Sequence, residues 1–216
     1  MTKKILIVVT SHSSLGDTGK ATGLYLPELA HPYEVFIAAG CQVTVASPFG
    51  GRAPVAPESI SKELKPYLQL VENTKVLDQI DPGDYDAYFV VGGHGTMWDL
   101  PHNKELQRIL AEAYAQEKIL AAVCHGPAAL VGLKDLSGQA LVKNKKVTSF
   151  TSDEEDAGGL KEAMPFLLED ALRRAGAHFI KADNWQANVV IDGKLVTGQN
   201  PASAQGVGEA IISLLT

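Results

Sequence analysis

Four short apolar stretches limit what this chain can fold into: Ile5–Val9, Val43–Ala46, Tyr88–Val91 and Ile119–Val123. A strand wetted on one face alternates apolar and polar side chains. These stretches barely alternate, so they predict strands covered on both faces. Between them the apolar spacing changes to that of a helix. Leu26, Leu29, Ala30, Tyr33, Phe36 and Ile37 recur at helical intervals, and Gly40 stands where such a helix stops. Leu106, Ile109, Leu110 and Ala113 repeat the pattern behind Asn103, a suitable N-cap. Strands alternating with helices imply right-handed crossovers, hence an α/β fold with an open, mostly parallel sheet and helices on both faces.

The later chain leaves this rhythm. Val189-Val190-Ile191, Asp192-Gly193 and Lys194-Leu195-Val196 predict a late β-hairpin. Asn200-Pro201 then opens a last helix carrying Ala204, Val207, Ile211 and Leu214 on one side. The Pro/Gly-rich stretch Pro48 to Pro57 leads into Glu58–Leu70 and reads as a small insertion, around 48–80, in one domain covering 1–216. With 19 Lys+Arg against 25 Asp+Glu and no basic stripe, a nucleic-acid partner is not expected. No apolar run approaches the roughly 18 residues of a membrane span, and Ile5–Val9 is shorter than the roughly 7–15 residues of a signal-peptide core. Two cysteines suit a reducing compartment, so a cytoplasmic protein is expected.

In an open parallel sheet, ligands bind beyond the carboxyl ends of the strands. One such end stands out. Ile119–Val123 runs straight into Cys124-His125-Gly126-Pro127, and Gly126 and Pro127 begin a predicted helix. Strand, nucleophile, helix is the order of a nucleophile elbow, here with sulfur. A helix N-terminus behind the thiol favours thiolate, and the adjacent His125 is placed to exchange a proton with it. Cys41, at the amino end of the second strand, is expected to be structural. Gly92-Gly93-His94-Gly95 ends the third strand; it suits either an oxyanion hole made by close backbone N–H groups or a plain turn. Glu28 lies among Leu26, Pro27, Leu29 and Ala30, which leaves open a buried carboxyl of raised pKa or a solvated residue near a helix N-terminus. The Glu28/His31 pair and the scattered His12, His94, His102 and His178 show no ligand spacing, so no metal site is expected. Asp153-Glu154-Glu155-Asp156 reads by composition as a solvated acidic loop, and Asp81, Asp84 and Asp86 around Pro82-Gly83 as a turn.

The segment Ala121 to Ala128 resembles the nucleophile segment of the ThiJ/PfpI superfamily, whose fold is flavodoxin-like and related to class I glutamine amidotransferases. Four further segments narrow the likeness: Thr22-Gly23 through Glu28 and His31-Pro32, Gly93 to Thr96, Thr148 to Thr151 followed by Glu155, and Thr197 to Ala204. Together they resemble the branch of stress-inducible chaperones and glutathione-independent glyoxalases (glyoxalase III). The resemblance implies Cys124 as nucleophile, His125 as its proton partner and Glu155 as the acid orienting the histidine, with Asp153 or Glu154 as alternatives. It makes Glu28 the buried carboxyl at the sulfur and lets Gly93 lend an oxyanion-hole N–H, with Gly92 and His94 beside it. It does not carry over the long amino-terminal extension of the larger bacterial chaperones, nor their holdase activity and metal site.

The implied activity needs no cofactor: methylglyoxal or another small 2-oxoaldehyde becomes a 2-hydroxy acid through a Cys124 hemithioacetal, the work of a hydro-lyase in carbonyl-stress detoxification. The resemblance also implies a homodimer. Two other activities use the same residues: a cysteine amidase or peptidase, and a chaperone or oxidation sensor acting through an exposed patch or Cys124 oxidation.

Overall fold

The computed structural model describes residues 2–216. Among the described residues there are nine strands: β1 (Lys4–Val8), β2 (Gln42–Ser47), β3 (Lys75–Val76), β4 (Ala87–Val90), β5 (Ile119–Val123), β6 (Lys146–Val147), β7 (His178–Phe179), β8 (Val189–Asp192) and β9 (Leu195–Gly198). Seven of them form one sheet in the order β3-β2-β1-β4-β5-β9-β8, while β6 and β7 pair apart. All neighbours in the large sheet are parallel except β8 and β9, the predicted hairpin, which are antiparallel. The expected α/β architecture is therefore what forms.

Burial on both faces explains the apolar runs of β1, β4 and β5, whereas β2, next to the edge strand β3, is only half-buried at Val43, Thr44 and Val45, contrary to its expected cover on both faces. Leu6, Val8, Tyr88, Val90, Leu120 and Ala122 point to one core; Ile5, Ile7, Phe89, Val91, Ala121 and Val123 point to the other. The six α-helices among the described residues are α1 (Leu26–Ala38), α2 (Thr96–Asp99), α3 (Lys104–Ala115), α4 (Ser152–Ala157), α5 (Leu168–Arg174) and α6 (Ala204–Leu215). α3 and α5 supply Leu106, Ile109, Leu110 and Leu172 to the first core, whereas α1 and α6 supply Leu29, Phe36, Val207 and Ile211 to the second. The Asn103 side chain caps α3 by accepting from the Leu106 N–H at 2.9 Å.

Three local expectations need correction. The segment after Cys124 is a five-residue 3₁₀ turn, Gly126–Leu130, rather than an α-helix. Pro127 brings no N–H, the turn closes through i→i+3 bonds (Ala128 N–H to His125 O at 2.9 Å), and the backbone is extended again at Val131. Pro201 likewise opens a 3₁₀ turn, Pro201–Ser203, and α6 starts only at Ala204. The acidic run is a helix, α4, not a solvated loop, and Glu154 and Glu155 are buried. Its start is a capping box: Thr151 Oγ1 accepts from the Glu154 N–H at 3.0 Å, and the Glu154 carboxylate accepts from the Thr151 N–H at 3.1 Å.

Strands β2 and β3 lie on one side of β1 and β4 and β5 on the other, so the chain's direction of travel across the sheet reverses at the β1/β4 boundary. Such a reversal opens a crevice at the carboxyl edge. α1 carries Glu28 into it, held down by Phe36, which is fully buried and meets Phe89 edge-on at 6.0 Å. Phe36→Ala should cost about 3–5 kcal/mol in urea unfolding. A loss below about 1 kcal/mol would mean that α1 is not anchored through this contact.

Candidate active site

Cys124 follows β5 with φ +59°, a conformation that non-glycine residues adopt only when neighbours hold it. The neighbours are backbone groups. The Cys124 N–H donates to Gly198 O at 2.9 Å, and its carbonyl accepts from the Phe150 N–H at 2.8 Å. Thr96 Oγ1 donates to His125 O at 3.0 Å and to Gly93 O at 2.9 Å, tying the turn after β5 to the turn after β4. A side chain cannot replace Gly126, because a Cβ there would lie 2.4 Å from Val90 O. Gly92 is equally constrained: its Cβ would lie 2.3 Å from Glu28 Oε2 and 2.8 Å from the Cys124 Cβ.

The sulfur stands 3.3 Å from His125 Nδ1, and His125 Nε2 stands 2.7 Å from Glu155 Oε2. Glu155 thus takes the orienting place, and its other oxygen lies 3.1 Å from His94 Nε2. Neither alternative acid does so. Asp153 reaches outward to Lys181 at 2.6 Å, and Glu154 is spent on the α4 cap and on the Trp185 N–H at 2.8 Å. With Nε2–H donated to Glu155, Nδ1 presents a lone pair to the sulfur. Burial and the adjacent His94 push the His125 pKa down against the pull of Glu155, which suits a neutral base. Burial pushes Glu155 up, but the two histidines outweigh it and hold its carboxyl at about 2.

Glu28 is wholly buried, and neither carboxyl oxygen has a hydrogen-bond partner of good geometry among the described residues. Burial raises it to about 8, opposed more weakly by the Cys124 thiol and the Gly92 backbone. It is therefore a neutral acid at pH 7, the buried alternative rather than the solvated one. Burial first and the Glu28 carboxylate second push the Cys124 thiol well up, with the His125 N–H opposing. A protonated Glu28 removes the second of these. The expected standing thiolate is accordingly not what this environment favours: a five-residue 3₁₀ turn has too little dipole to outweigh full burial. Cys41 sits away from all of this, at the far end of β2.

Glu28, Gly93, His94, Cys124 and Trp185 line one cavity of about 170 Å³. The Gly93 N–H there donates to no protein acceptor among the described residues. Tyr25 shares the cavity, its hydroxyl pKa raised by burial and then by Glu28 and Cys124. A wider cleft of about 490 Å³ beside Thr22, Arg52 and Leu68 contains neither Cys124 nor His125. Sequence spacing gave His94 no partners, yet His94, His125 and Glu155 bring ligand-type atoms within 4.8 Å of one another. Those atoms already bond each other, so a cation would have to displace both hydrogen bonds. Phe150 and Trp185 were missed as site residues. Phe150 belongs to the Thr148–Thr151 segment without a role of its own there, and Trp185 lies in no periodic pattern.

Folding Glu28 in its protonated form links stability to pH. The native state keeps a proton that the unfolded chain releases near 4.5, so this contribution is complete below about 4.5 and is lost as pH rises towards about 8. Glu28→Gln cannot ionise. Between those limits, urea unfolding should show wild-type stability falling relative to Glu28→Gln by up to about 1.4 kcal/mol per pH unit. A constant difference would mean that Glu28 is ionised in the folded protein.

The DJ-1/PfpI family model matches residues 21–214. Glyoxalase 3 of Candida albicans is 34% identical over 97% of this chain and 97% of its own. The glutathione-independent glyoxalase HSP31 of Saccharomyces cerevisiae is 32% identical over 99% of this chain and 98% of its own. Among solved structures, the 24 kDa rapid encystment protein of Francisella tularensis superposes with a TM-score of 0.95 at 38% identity, covering 100% of both chains.

Proposed function

The chain belongs to the DJ-1/PfpI family, and from that membership and the geometry around Cys124 we propose that it is a glutathione-independent glyoxalase acting on methylglyoxal and similar small 2-oxoaldehydes. The observation that carries this is a sulfur placed between a base, His125 Nδ1 at 3.3 Å, and a buried acid, Glu28. Isomerising an oxoaldehyde needs both, because a proton must leave one carbon while the neighbouring carbonyl oxygen gains one. The names of the two full-length relatives agree with this reading.

In the proposed sequence His125 takes the thiol proton as the sulfur adds to the aldehyde carbon, then returns it to the new oxyanion. The product is a hemithioacetal. The Gly93 N–H and His94 face that oxygen. His125 next removes the proton on the sulfur-bearing carbon, and Glu28 protonates the ketone oxygen, giving an enediol. His125 delivers its proton to the second carbon while Glu28 recovers one from the first hydroxyl, leaving a thioester. Water cleaves the thioester to a 2-hydroxy acid, lactate from methylglyoxal, and restores the thiol. Net, one water is added, so the reaction is of the hydro-lyase class. Thiol, acid and base all come from the chain, so no cofactor is assigned. The cavity of about 170 Å³ favours a carbonyl of few atoms over the amide of a peptide.

Purified protein should form lactate from methylglyoxal without glutathione; no lactate would refute the proposal. Cys124→Ser should lower kcat/KM about 10³-fold or more, while Cys41→Ser stays near wild type. Equal losses in two folded variants would put the chemistry elsewhere. Glu28→Gln keeps a hydrogen-bond donor but has no proton to give, and should lose about 10²–10⁴-fold in kcat. Wild-type turnover in that variant would leave all proton transfer to His125.

A further inference from the structure

We propose that Trp185 is a size gate over the Cys124 sulfur, held in place by Glu154, Gln199 and Asn200, so that only carbonyls with a short substituent reach the thiol. The size selection rests on the thiol chemistry proposed above; the gate itself rests on the build of one loop. Residues 181–188, between β7 and β8, contain no helix or strand. Within them Trp185 has φ +67°, rare for any residue but glycine and most of all for a bulky one. Such a conformation persists only where surrounding contacts over-determine it.

The contacts come from three side chains that are 0% exposed, Glu154, Gln199 and Asn200. Glu154 Oε1 accepts from the Trp185 N–H at 2.8 Å and from Asn200 Nδ2 at 2.8 Å. Asn200 Nδ2 also donates to Gln186 O at 2.7 Å. The Gln199 amide accepts from the Ala182 N–H at 2.9 Å and donates to Ala182 O at 3.3 Å. Burying two amides and a carboxylate is costly unless they are bonded, and here much of that bonding capacity is directed at one irregular loop. Asn200 also caps the Pro201–Ser203 turn, its Oδ1 accepting from Ser203 Oγ at 3.1 Å, so the strap is tied to the start of the last helical segment.

The strap presents an indole to the site. Its ring centroid lies 5.7 Å from Phe150, whose ring lies 4.5 Å from His125. Trp185 lines the cavity that contains Cys124, with Leu160 and Pro201 also on its wall, yet remains 50% exposed. An aromatic residue half in water at the mouth of a cavity of about 170 Å³ is placed to limit what enters rather than to fill a core.

Two measurements in a Cys41→Ser background, which leaves one thiol, test the gate. The first is the rate of Cys124 alkylation by iodoacetamide and by the bulkier N-phenylmaleimide. The second is kcat/KM for phenylglyoxal relative to methylglyoxal. Trp185→Ala and Trp185→Gly should each raise the bulky-to-small ratio about tenfold or more in both, while Trp185→Phe stays near wild type. Glycine adopts φ +67° without strain, so that variant separates loss of the indole from loss of folding. Glu154→Gln offers an amide where two oxygens accept, and should move both ratios the same way by less. Wild-type ratios in Trp185→Ala and Trp185→Gly overturn the gate, and wild-type ratios in Glu154→Gln overturn its strap. Should the wild type turn over neither oxoaldehyde, the glyoxalase proposal fails while the alkylation ratio still decides the gate.

Discussion

Glu28 meets the Cys124 turn across Gly92, where neighbouring parallel strands end together, and much else depends on that meeting. The approach needs β1, β4 and β5 side by side, a glycine at position 92, and α1 pressed down by its buried apolar face. It also decides protonation. A carboxyl so enclosed stays neutral at pH 7, which removes its repulsion of the sulfur and leaves it the proton that the proposed reaction uses. The same burial raises the thiol, so in the proposed reaction activation falls to the neighbouring histidine rather than to a standing negative charge.

That histidine meets a four-residue acidic run whose members fill three different roles. Asp153 pairs with Lys181 at the surface, and Asp156 lies 3.7 Å from Lys161. Glu154 turns inward to cap its own helix and hold the Trp185 loop, while Glu155 accepts from two histidines. A helix advances about 100° per residue, so consecutive acids on α4 must face different surroundings. Chemically identical neighbours thereby acquire separate tasks without any change of composition. Sharing Glu155 between His94 and His125 also brings their rings to 4.3 Å, and His94 helps push His125 towards its neutral form.

The sheet was legible because parallel strands buried on both faces leave short apolar runs bounded by polar and turn residues. Ile119–Val123 was read to the residue, and Asn103 and the Asp192-Gly193 turn each stand where their chemistry put them. Cys124 was visible as the residue ending such a run. The acidic run has the composition of a solvated loop, but its Thr151-x-x-Glu154 spacing is the capping signature of the helix that forms. The segment after Cys124 was misread because glycine followed by proline marks the start of a turn of either kind, and i→i+3 closure is chosen by the chain beyond it.

What the sequence determined by itself is therefore local: which segments are buried strands, that a cysteine ends one of them, and which turns join them. These follow from spacing of two or 3.6 residues and from the backbone preferences of Gly, Pro, Asn and Asp. The tertiary structure alone decided which acid accepts from His125, that His94 shares it, that Glu28 is neutral, and that Trp185 lines the cavity of Cys124. Each of these depends on groups tens of residues apart being brought within a few ångströms. Hydrogen bonding and desolvation act over that distance in space and leave no period along the chain.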